Sequence, residues 1–177
     1  MRLQGKDVYL DTLEREDCRR LWLEQEYDFA NPTDDFNPGH SVEKADHWFE
    51  EIQKLQGQQN VRLGIFLQDG TPIGDVALQN IDMRDRSCSV GMGIAKLCNR
   101  GKGYGQQALK LILQHGFCYV GLERITANTL EMNQGARRAL EKLGFTLEGR
   151  ERKAVYMNGK RWDRLNYAIL KEEYRQA

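Results

Sequence analysis

The chain has 177 residues and carries no formal net charge, because 26 lysine and arginine residues balance 26 aspartate and glutamate residues. A neutral chain has no general attraction for nucleic acid or an anionic membrane surface, so we expect neither as a partner. No apolar run approaches the roughly 18 residues that a membrane-spanning helix needs, and the first residues lack the apolar segment of an export signal. These properties predict one cytoplasmic domain that covers residues 1–177.

The cysteines and histidines do not have the spacing of a metal site. The four cysteines form no Cys-x-x-Cys pair, and none stands at metal-ligand spacing from a histidine. Such a pattern is typical of buried, reduced thiols in a cytoplasmic protein. We therefore expect no disulfide and no metal ion. The cysteines are Cys18, Cys88, Cys98 and Cys118.

The first part of the chain predicts a strand followed by two helices. The strand is expected over 8–12 and the first helix over about 14–27. A loop with Pro32 and Pro38 comes next. Ser41 can cap the second helix, whose apolar positions recur at helical spacing.

Three strands should follow these helices. Apolar residues alternate with other residues over 61–67, and further strand-like runs occupy 73–81 and 87–94. Asp69 and Gly70 form a strong hairpin signal between the first two runs.

The second half of the chain opens with an amphipathic helix. A strand is expected over 124–130, and Asn133 can cap a further helix that ends at Gly144. Asn158 and Gly159 mark the turn of a last hairpin. The order is strand, two helices, three strands, helix, strand, helix, two strands. It predicts a mixed α/β fold with a twisted sheet of about seven strands and flanking helices.

The loop at 100–105 reads Arg-Gly-Lys-Gly-Tyr-Gly and leads directly into a helix. Three glycines in five positions let the main chain turn sharply and come close to a ligand. A helix start directs free N–H groups and a partial positive charge toward the loop. Arg100 and Lys102 add full positive charges. These features predict an anion site for a phosphate or pyrophosphate.

Two other interpretations of the loop are weaker. The glycines do not form G-x-G-x-x-G after a first strand, and G-x-x-x-x-G-K-[ST] does not occur, so a plain NAD or ATP module is disfavoured. A simple turn without a ligand is the other alternative for Gly101, Gly103 and Gly105.

Three sequence blocks in this element order resemble the GNAT family of acetyl-coenzyme A dependent N-acetyltransferases. The first is the loop at 100–105, which is similar to the family pattern of Arg or Gln, two residues, Gly, one residue, Gly or Ala. The second, 133–145, is similar to the family's asparagine helix and ends in Glu-Lys-Leu-Gly-Phe. The third, 158–163, resembles the terminal hairpin of the branch that holds ribosomal-protein alanine and spermidine acetyltransferases. The resemblance extends over about 8–170.

This resemblance implies a single-domain GNAT fold with splayed fourth and fifth strands, and acetyl-coenzyme A as the co-substrate. In this interpretation the loop binds the pyrophosphate, the Met92 and Ile94 main chain pairs with the pantetheine arm, and the Met92 N–H polarises the thioester carbonyl. Asn133 would steady the pantetheine, or act only as a helix cap. The residues assigned to the coenzyme are Met92, Ile94, Arg100, Gly101, Lys102, Gly103, Tyr104, Gly105, Gln106 and Asn133.

The catalytic acid and base are less evident. Members of this branch often carry Glu on the fourth strand, where this chain has Val90. Many members also place Ser or Tyr in the asparagine block, where this chain has Ala136 and Leu140. The usual side-chain proton donor is therefore missing at both positions. Asp75, on the neighbouring strand, is the acidic residue that we can offer as a base.

Direct attack on a thioester requires a neutral amine, which favours one class of acceptor. A lysine-like amine with a pKa of about 10.4 costs roughly 4.6 kcal/mol to hold neutral at pH 7, whereas an α-amine with a pKa of about 7.8 costs about 1.1 kcal/mol. Without a strong base, a protein or peptide N-terminal α-amine is the easier acceptor.

Other functions stay open at this point. An acidic stretch favours a cationic small molecule instead, such as spermidine or an aminoglycoside. The missing acid and base also allow a non-catalytic sensor that binds acetyl-coenzyme A. Dimers are frequent in the family, so the resemblance implies a homodimer as one form. The acidic stretch comprises Glu24, Glu26, Asp28, Asp34 and Asp35.

Overall fold

A computed structural model describes residues 2–28, 30 and 40–174. Eight strands lie side by side in the order β1-β2-β3-β4-β5-β6-β8-β7. Among these described strands, all neighbours run antiparallel except β5 and β6, which are parallel. The strands are β1 (Leu3–Gln4), β2 (Val8–Asp11), β3 (Val61–Leu67), β4 (Pro72–Asp82), β5 (Ser87–Ile94), β6 (Arg124–Leu130), β7 (Thr146–Met157) and β8 (Lys160–Leu170).

Two of the described helices begin at the side-chain caps that the sequence predicts. Ser41 Oγ accepts the Lys44 N–H at 3.2 Å, and Asn133 Oδ1 accepts the Ala136 N–H at 3.1 Å. Both capping predictions are therefore confirmed. The helices are α1 (Arg15–Leu23), α2 (Val42–Leu55), α3 (Tyr104–His115) and α4 (Gln134–Lys142); a short 3-10 turn spans Leu97–Asn99, and a π-helical turn, Gly116–Val120, extends α3.

The mixed α/β prediction is confirmed, with one strand more than expected. The additional strand is β1, whose two residues are too few to show a period in the sequence. Helix α1 ends at Leu23, whereas the sequence predicted a helix to about Tyr27.

Separate apolar clusters cover the two faces of the sheet. Helix α3 packs on one face, where Ile112 and Leu113 are fully buried against the strands. Helices α1 and α2 pack on the opposite face, where the smaller cluster contains Cys18, Leu21 and Ile52. Side chains on a strand alternate between faces, so each β5 residue points either toward α3 or toward α1 and α2.

Strands β5 and β6 separate after a short pairing. Their register joins Ser87 to Arg124, Cys88 to Ile125 and Ser89 to Thr126 only, although β5 continues to Ile94. Strand β6 continues instead beside β8 over its whole length. The expected splay of this strand pair is therefore confirmed, and it leaves one edge of β5 open.

All four cysteines are free thiols. Cys18 and Cys88 are buried, as expected, but Cys98 and Cys118 are exposed, so the prediction of burial was wrong for these two. Cys98 lies in the short turn after β5, and Cys118 lies in the turn that extends α3.

Within the described part of the chain, no helix has the length and apolar character needed to cross a membrane. The same residues contain no group of three or more His, Cys, Asp or Glu placed to hold a metal ion.

Candidate functional site

The loop before α3 has the main-chain conformation that its glycines permit. Gly101 has a φ of 75° and Gly103, the N-cap of α3, has a φ of 84°. Residues with a Cβ are strained in this left-handed region, so glycine is the residue that adopts it readily. Both positions are open, because a Cβ at either one would meet nothing within 4 Å.

Six consecutive main-chain N–H groups are available at this helix start. Among the described residues no acceptor bonds them, which leaves the first turn of α3 and the loop before it as a run of free donors. Together with the positive end of the helix dipole, this run can bind an anion. The groups belong to Gly101, Lys102, Gly103, Tyr104, Gly105 and Gln106.

Arg100 differs from the sequence prediction. Its own N–H donates to the Leu97 carbonyl at 3.0 Å and is not one of the free donors. Its guanidinium donates to the Ile94 carbonyl through Nη2 at 2.9 Å and Nε at 3.2 Å, and Nη2 also reaches the Glu26 carbonyl at 3.2 Å. The side chain thus joins the end of β5 to the segment after α1.

The open edge of β5 presents main-chain groups toward the gap between β5 and β6. Ala95, just after β5, donates its N–H to Ile73 of β4 at 2.9 Å, whereas the Cys88 carbonyl accepts from Thr126 Oγ1 of β6 at 3.1 Å. Successive peptide groups of a strand point to opposite sides, so those of Met92 point away from β4 and into the gap. The peptide groups of Ile94 also point into the gap, but the Ile94 carbonyl already accepts a hydrogen bond from the Arg100 guanidinium.

Asn133 caps α4 through its side-chain oxygen, and its N–H donates to the Leu130 carbonyl at 3.0 Å. The cap accounts for Oδ1, and contact of the amide nitrogen with a coenzyme stays a prediction. Gln106 stays a predicted contact as well. Its neighbour Gln107 instead holds α3 to Asp7, with Oε1 accepting the Asp7 N–H at 3.0 Å and Nε2 donating to its carboxylate at 2.6 Å.

The predicted base, Asp75, forms an ion pair with Arg62 on the sheet face that α1 and α2 cover. Each side chain is 19% exposed, and the Arg62 guanidinium lies over the Trp48 ring at 5.7 Å. Asp75 pairs with Gly93 of β5 in the strand register, so its carboxylate is close to the splayed strand. A neighbouring guanidinium favours the charged carboxylate and makes it a weaker proton acceptor. The pair therefore argues against Asp75 as the general base.

The acidic stretch is largely engaged within the protein. Glu24 forms an ion pair with Lys96 Nζ at 2.8 Å, and this hydrogen bond lowers the pKa of Glu24. Glu26 Oε2 accepts the Leu97 N–H at 2.7 Å. The other members are Asp28, which accepts the Ala30 N–H at 2.8 Å, and Asp34 and Asp35, which lie outside the described residues.

Comparison with known proteins agrees with this geometry. Residues 7–146 match the model of the family described as "Acetyltransferase (GNAT) domain". A probable N-acetyltransferase, YjcK from Bacillus subtilis (strain 168), is 31% identical over 186 residues, which cover 98% of this chain and 99% of the relative.

The chain shares its fold with solved structures of acetyltransferases. A chimera of the spermidine N-acetyltransferase SpeG from Vibrio cholerae and hSSAT has a TM-score of 0.84 at 23% identity and covers 97% of this chain and 100% of its own. RimL, a ribosomal alpha-N-protein acetyltransferase solved in complex with coenzyme A, has a TM-score of 0.80 at 20% identity. The match covers 96% of this chain and 98% of RimL. With the family model matching most of its length, the chain belongs to the GNAT family and is an N-acetyltransferase.

Proposed function

We propose that this N-acetyltransferase transfers an acetyl group from acetyl-coenzyme A to the N-terminal α-amine of a protein or peptide by direct attack. The observation that carries the proposal is the run of free N–H groups from Gly101 to Gln106, at the start of α3 and beside the open edge of β5.

The loop has the chemistry that a coenzyme pyrophosphate needs. Free N–H donors, the helix dipole and the exposed Lys102 side chain all favour a negatively charged group. The open main-chain edge at Met92 can pair with the amide groups of the pantetheine arm, and its N–H can polarise the thioester carbonyl. Oriented N–H donors of this kind commonly supply a large share of the rate in acyl transfer. The fold neighbour solved with coenzyme A supports this assignment.

The acceptor side favours an amine that is easily neutral. Asp75 is paired with Arg62, so this face carries no net charge from the pair and offers a weak base. Without a strong base, the protein must select an amine that loses its proton near neutral pH. An α-amine with a pKa of about 7.8 meets this condition, and a polyamine nitrogen with a lysine-like pKa of about 10.4 does not.

A polyamine is the second acceptor class, supported by the fold shared with the SpeG chimera. Its main sequence signal, the acidic stretch, is weakened because Glu24 and Glu26 bind Lys96 and the Leu97 N–H. To bind a polyamine, these carboxylates would have to give up their bonds with Lys96 and the Leu97 N–H.

A thiol-release assay with acetyl-coenzyme A tests the proposal against peptides that start with alanine or serine, spermidine and an aminoglycoside. The expected result is the highest kcat/KM with the peptides. A wide preference for spermidine would overturn the acceptor class. Calorimetric binding of coenzyme A without transfer to any amine would favour a sensor, and the lack of coenzyme binding would overturn the whole proposal.

A further inference from the structure

Glu26, in the segment after α1, forms three hydrogen bonds with residues at and just after the end of β5. The Glu26 N–H donates to the Ala95 carbonyl at 2.9 Å, its Oε2 accepts the Leu97 N–H at 2.7 Å, and its carbonyl accepts from Arg100 Nη2 at 3.2 Å. We call this set of three hydrogen bonds the Glu26 clasp. Two residues earlier, Glu24 pairs with Lys96 and reinforces the same junction.

The clasp holds the residues that lead into the free N–H groups. Leu97 begins the short turn Leu97–Asn99, and Arg100 is the last residue before the run of donors starts at Gly101. On its other side the loop continues directly into α3, which is packed in the core. The loop is therefore anchored by α3 at one end and by Glu26 at the other.

The side-chain bond of the clasp is charge-assisted and lies at the surface. A carboxylate that accepts a main-chain N–H forms a charge-assisted hydrogen bond, which is roughly twice as strong as a bond between neutral groups. The other two bonds of the clasp, made by the N–H and the carbonyl of Glu26, fix the direction in which the chain leaves α1. Helix α1 lies on the sheet face that bears Asp75, so the clasp joins that face to the loop.

We propose that Glu26 is a positioning residue that holds the loop in its binding conformation and couples coenzyme binding to the segment after α1. The inference rests on the proposed function, because it takes the coenzyme as the ligand of the loop. A loop that is ordered before binding loses less conformational entropy when its ligand arrives, so the clasp increases affinity. Coupling is reciprocal, and bound coenzyme therefore stabilises the segment around Glu26.

Calorimetric titration with coenzyme A measures the first effect. Glu26→Ala should weaken binding by about tenfold, the loss expected for one charge-assisted hydrogen bond. Glu26→Gln keeps an acceptor oxygen and should restore most of the affinity. Glu51→Ala is the matched control, because Glu51 is a surface glutamate of α2 that pairs with Lys54 at 2.7 Å away from the loop. It should bind as the wild type does.

Hydrogen exchange measures the coupling between the loop and the segment after α1, and it needs no amine substrate. Coenzyme A should slow amide exchange in 100–107 and also in 20–28 of the wild type. Glu26→Ala keeps the two hydrogen bonds of the Glu26 main chain, so the slowing in 20–28 should be smaller than in the wild type, whereas the slowing in 100–107 should remain.

The outcomes separate this inference from the proposed function. Unchanged affinity in Glu26→Ala, or a wild type whose residues 20–28 do not respond to the coenzyme, would overturn the inference alone. A wild type that does not bind coenzyme A would overturn the proposed function together with it. Should Glu26→Ala fail to fold, the wild-type exchange pattern still decides, because a segment 20–28 that does not respond to coenzyme A overturns the inference.

Discussion

Gly105, the second residue of α3, lies directly against the Met92 side chain of β5. A Cβ at Gly105 would come 2.7 Å from Met92 Cε and 3.1 Å from its Sδ, both closer than ordinary contact. Because Gly105 has no Cβ, the start of α3 can lie this close to the strand that we propose to bind the pantetheine arm.

Gly105→Ala should therefore raise the KM for acetyl-coenzyme A, but by less than about tenfold, because the new methyl group meets the flexible end of the Met92 side chain, which can move aside at low cost. Stability should change little, since alanine is the better helix former by about 1 kcal/mol and offsets the crowding. Gly135→Ala, at the equivalent position of α4, is the control, because its Cβ would lie 3.7 Å from Asn133 Oδ1. Equal KM values in the two variants would contradict the prediction. Steady-state kinetics and thermal unfolding measure both effects.

Gly103→Ala should weaken coenzyme binding through the main chain alone. Its φ of 84° is strained for alanine by about 1–2 kcal/mol, and nothing lies near the new methyl group. Gly57→Ala has the same strain, with a φ of 75° and open surroundings, but belongs to the turn after α2. Both variants should lose similar stability, and only Gly103→Ala should lose affinity for coenzyme A in a calorimetric titration. Equal losses of affinity would show that the loop conformation is not the cause.

Asp75→Asn should clearly lower the free energy of unfolding but have only a small effect on kcat. It leaves the Arg62 guanidinium without its charged partner, at a cost of about 1–3 kcal/mol, below the value for full burial because both groups are partly exposed. We expect kcat to fall by less than about tenfold, since loss of a general base costs about 10²–10⁴-fold. Asp46→Asn, which breaks the pair with Arg19, is the control for losing an ion pair elsewhere. A fall in kcat beyond 10²-fold, with loss of one limb of the pH profile, would instead identify Asp75 as the base.

Asn133→Ser separates helix capping from coenzyme contact. Serine can cap α4 as asparagine does, whereas Asn133→Ala should cost about 1 kcal/mol of stability. If the amide nitrogen contacts the coenzyme, Asn133→Ser keeps its thermal stability and has a higher KM for acetyl-coenzyme A. This is the result that we expect. Ser41→Ala removes a cap from α2 and should leave that KM unchanged; a wild-type KM in Asn133→Ser would reduce Asn133 to a cap.

The four thiols should differ sharply in reactivity. Burial raises the pKa of Cys18 and of Cys88 to about 12, so both stay protonated and enclosed at pH 8. A thiol reagent should modify Cys98 and Cys118 only, as measured by mass spectrometry of the native protein. Because the ordinary thiol pKa is 9.0, these two raised values contribute stability below pH 9 that is lost as the pH rises toward 12. Rapid labelling of Cys88 in the native protein would contradict the structure.

Local sequence signals predicted the elements around the loop closely. The expected strands at 87–94 and 124–130 have the observed bounds, and Asn133 caps the helix as expected. The predicted end of α1 was less accurate. The chain leaves the helix at Glu24, because Glu26 forms a hydrogen bond with the end of β5. A contact with a distant strand does not appear in helical periodicity.

The loop was recognisable because its glycines, its basic residues and its helix start are adjacent in the sequence. The partners of Asp75 and Glu26 were not, since these contacts join residues that are 13 and 71 positions apart. Arg62 had one usable signal, a charged residue inside an otherwise apolar strand beside a predicted antiparallel partner. The sequence around Arg62 or Glu26 does not show which distant groups these residues contact.

The short pairing between β5 and β6 has a mechanical consequence. Beyond Ser89 the two halves of the sheet are held together by packed apolar side chains, where a hydrogen-bonded ladder would otherwise continue. Apolar packing has no preferred direction, whereas a main-chain hydrogen bond weakens steeply when it bends. The gap between the strands can therefore widen and narrow slightly without breaking a main-chain hydrogen bond of the sheet, which suits the proposed binding and release of a long, flexible coenzyme.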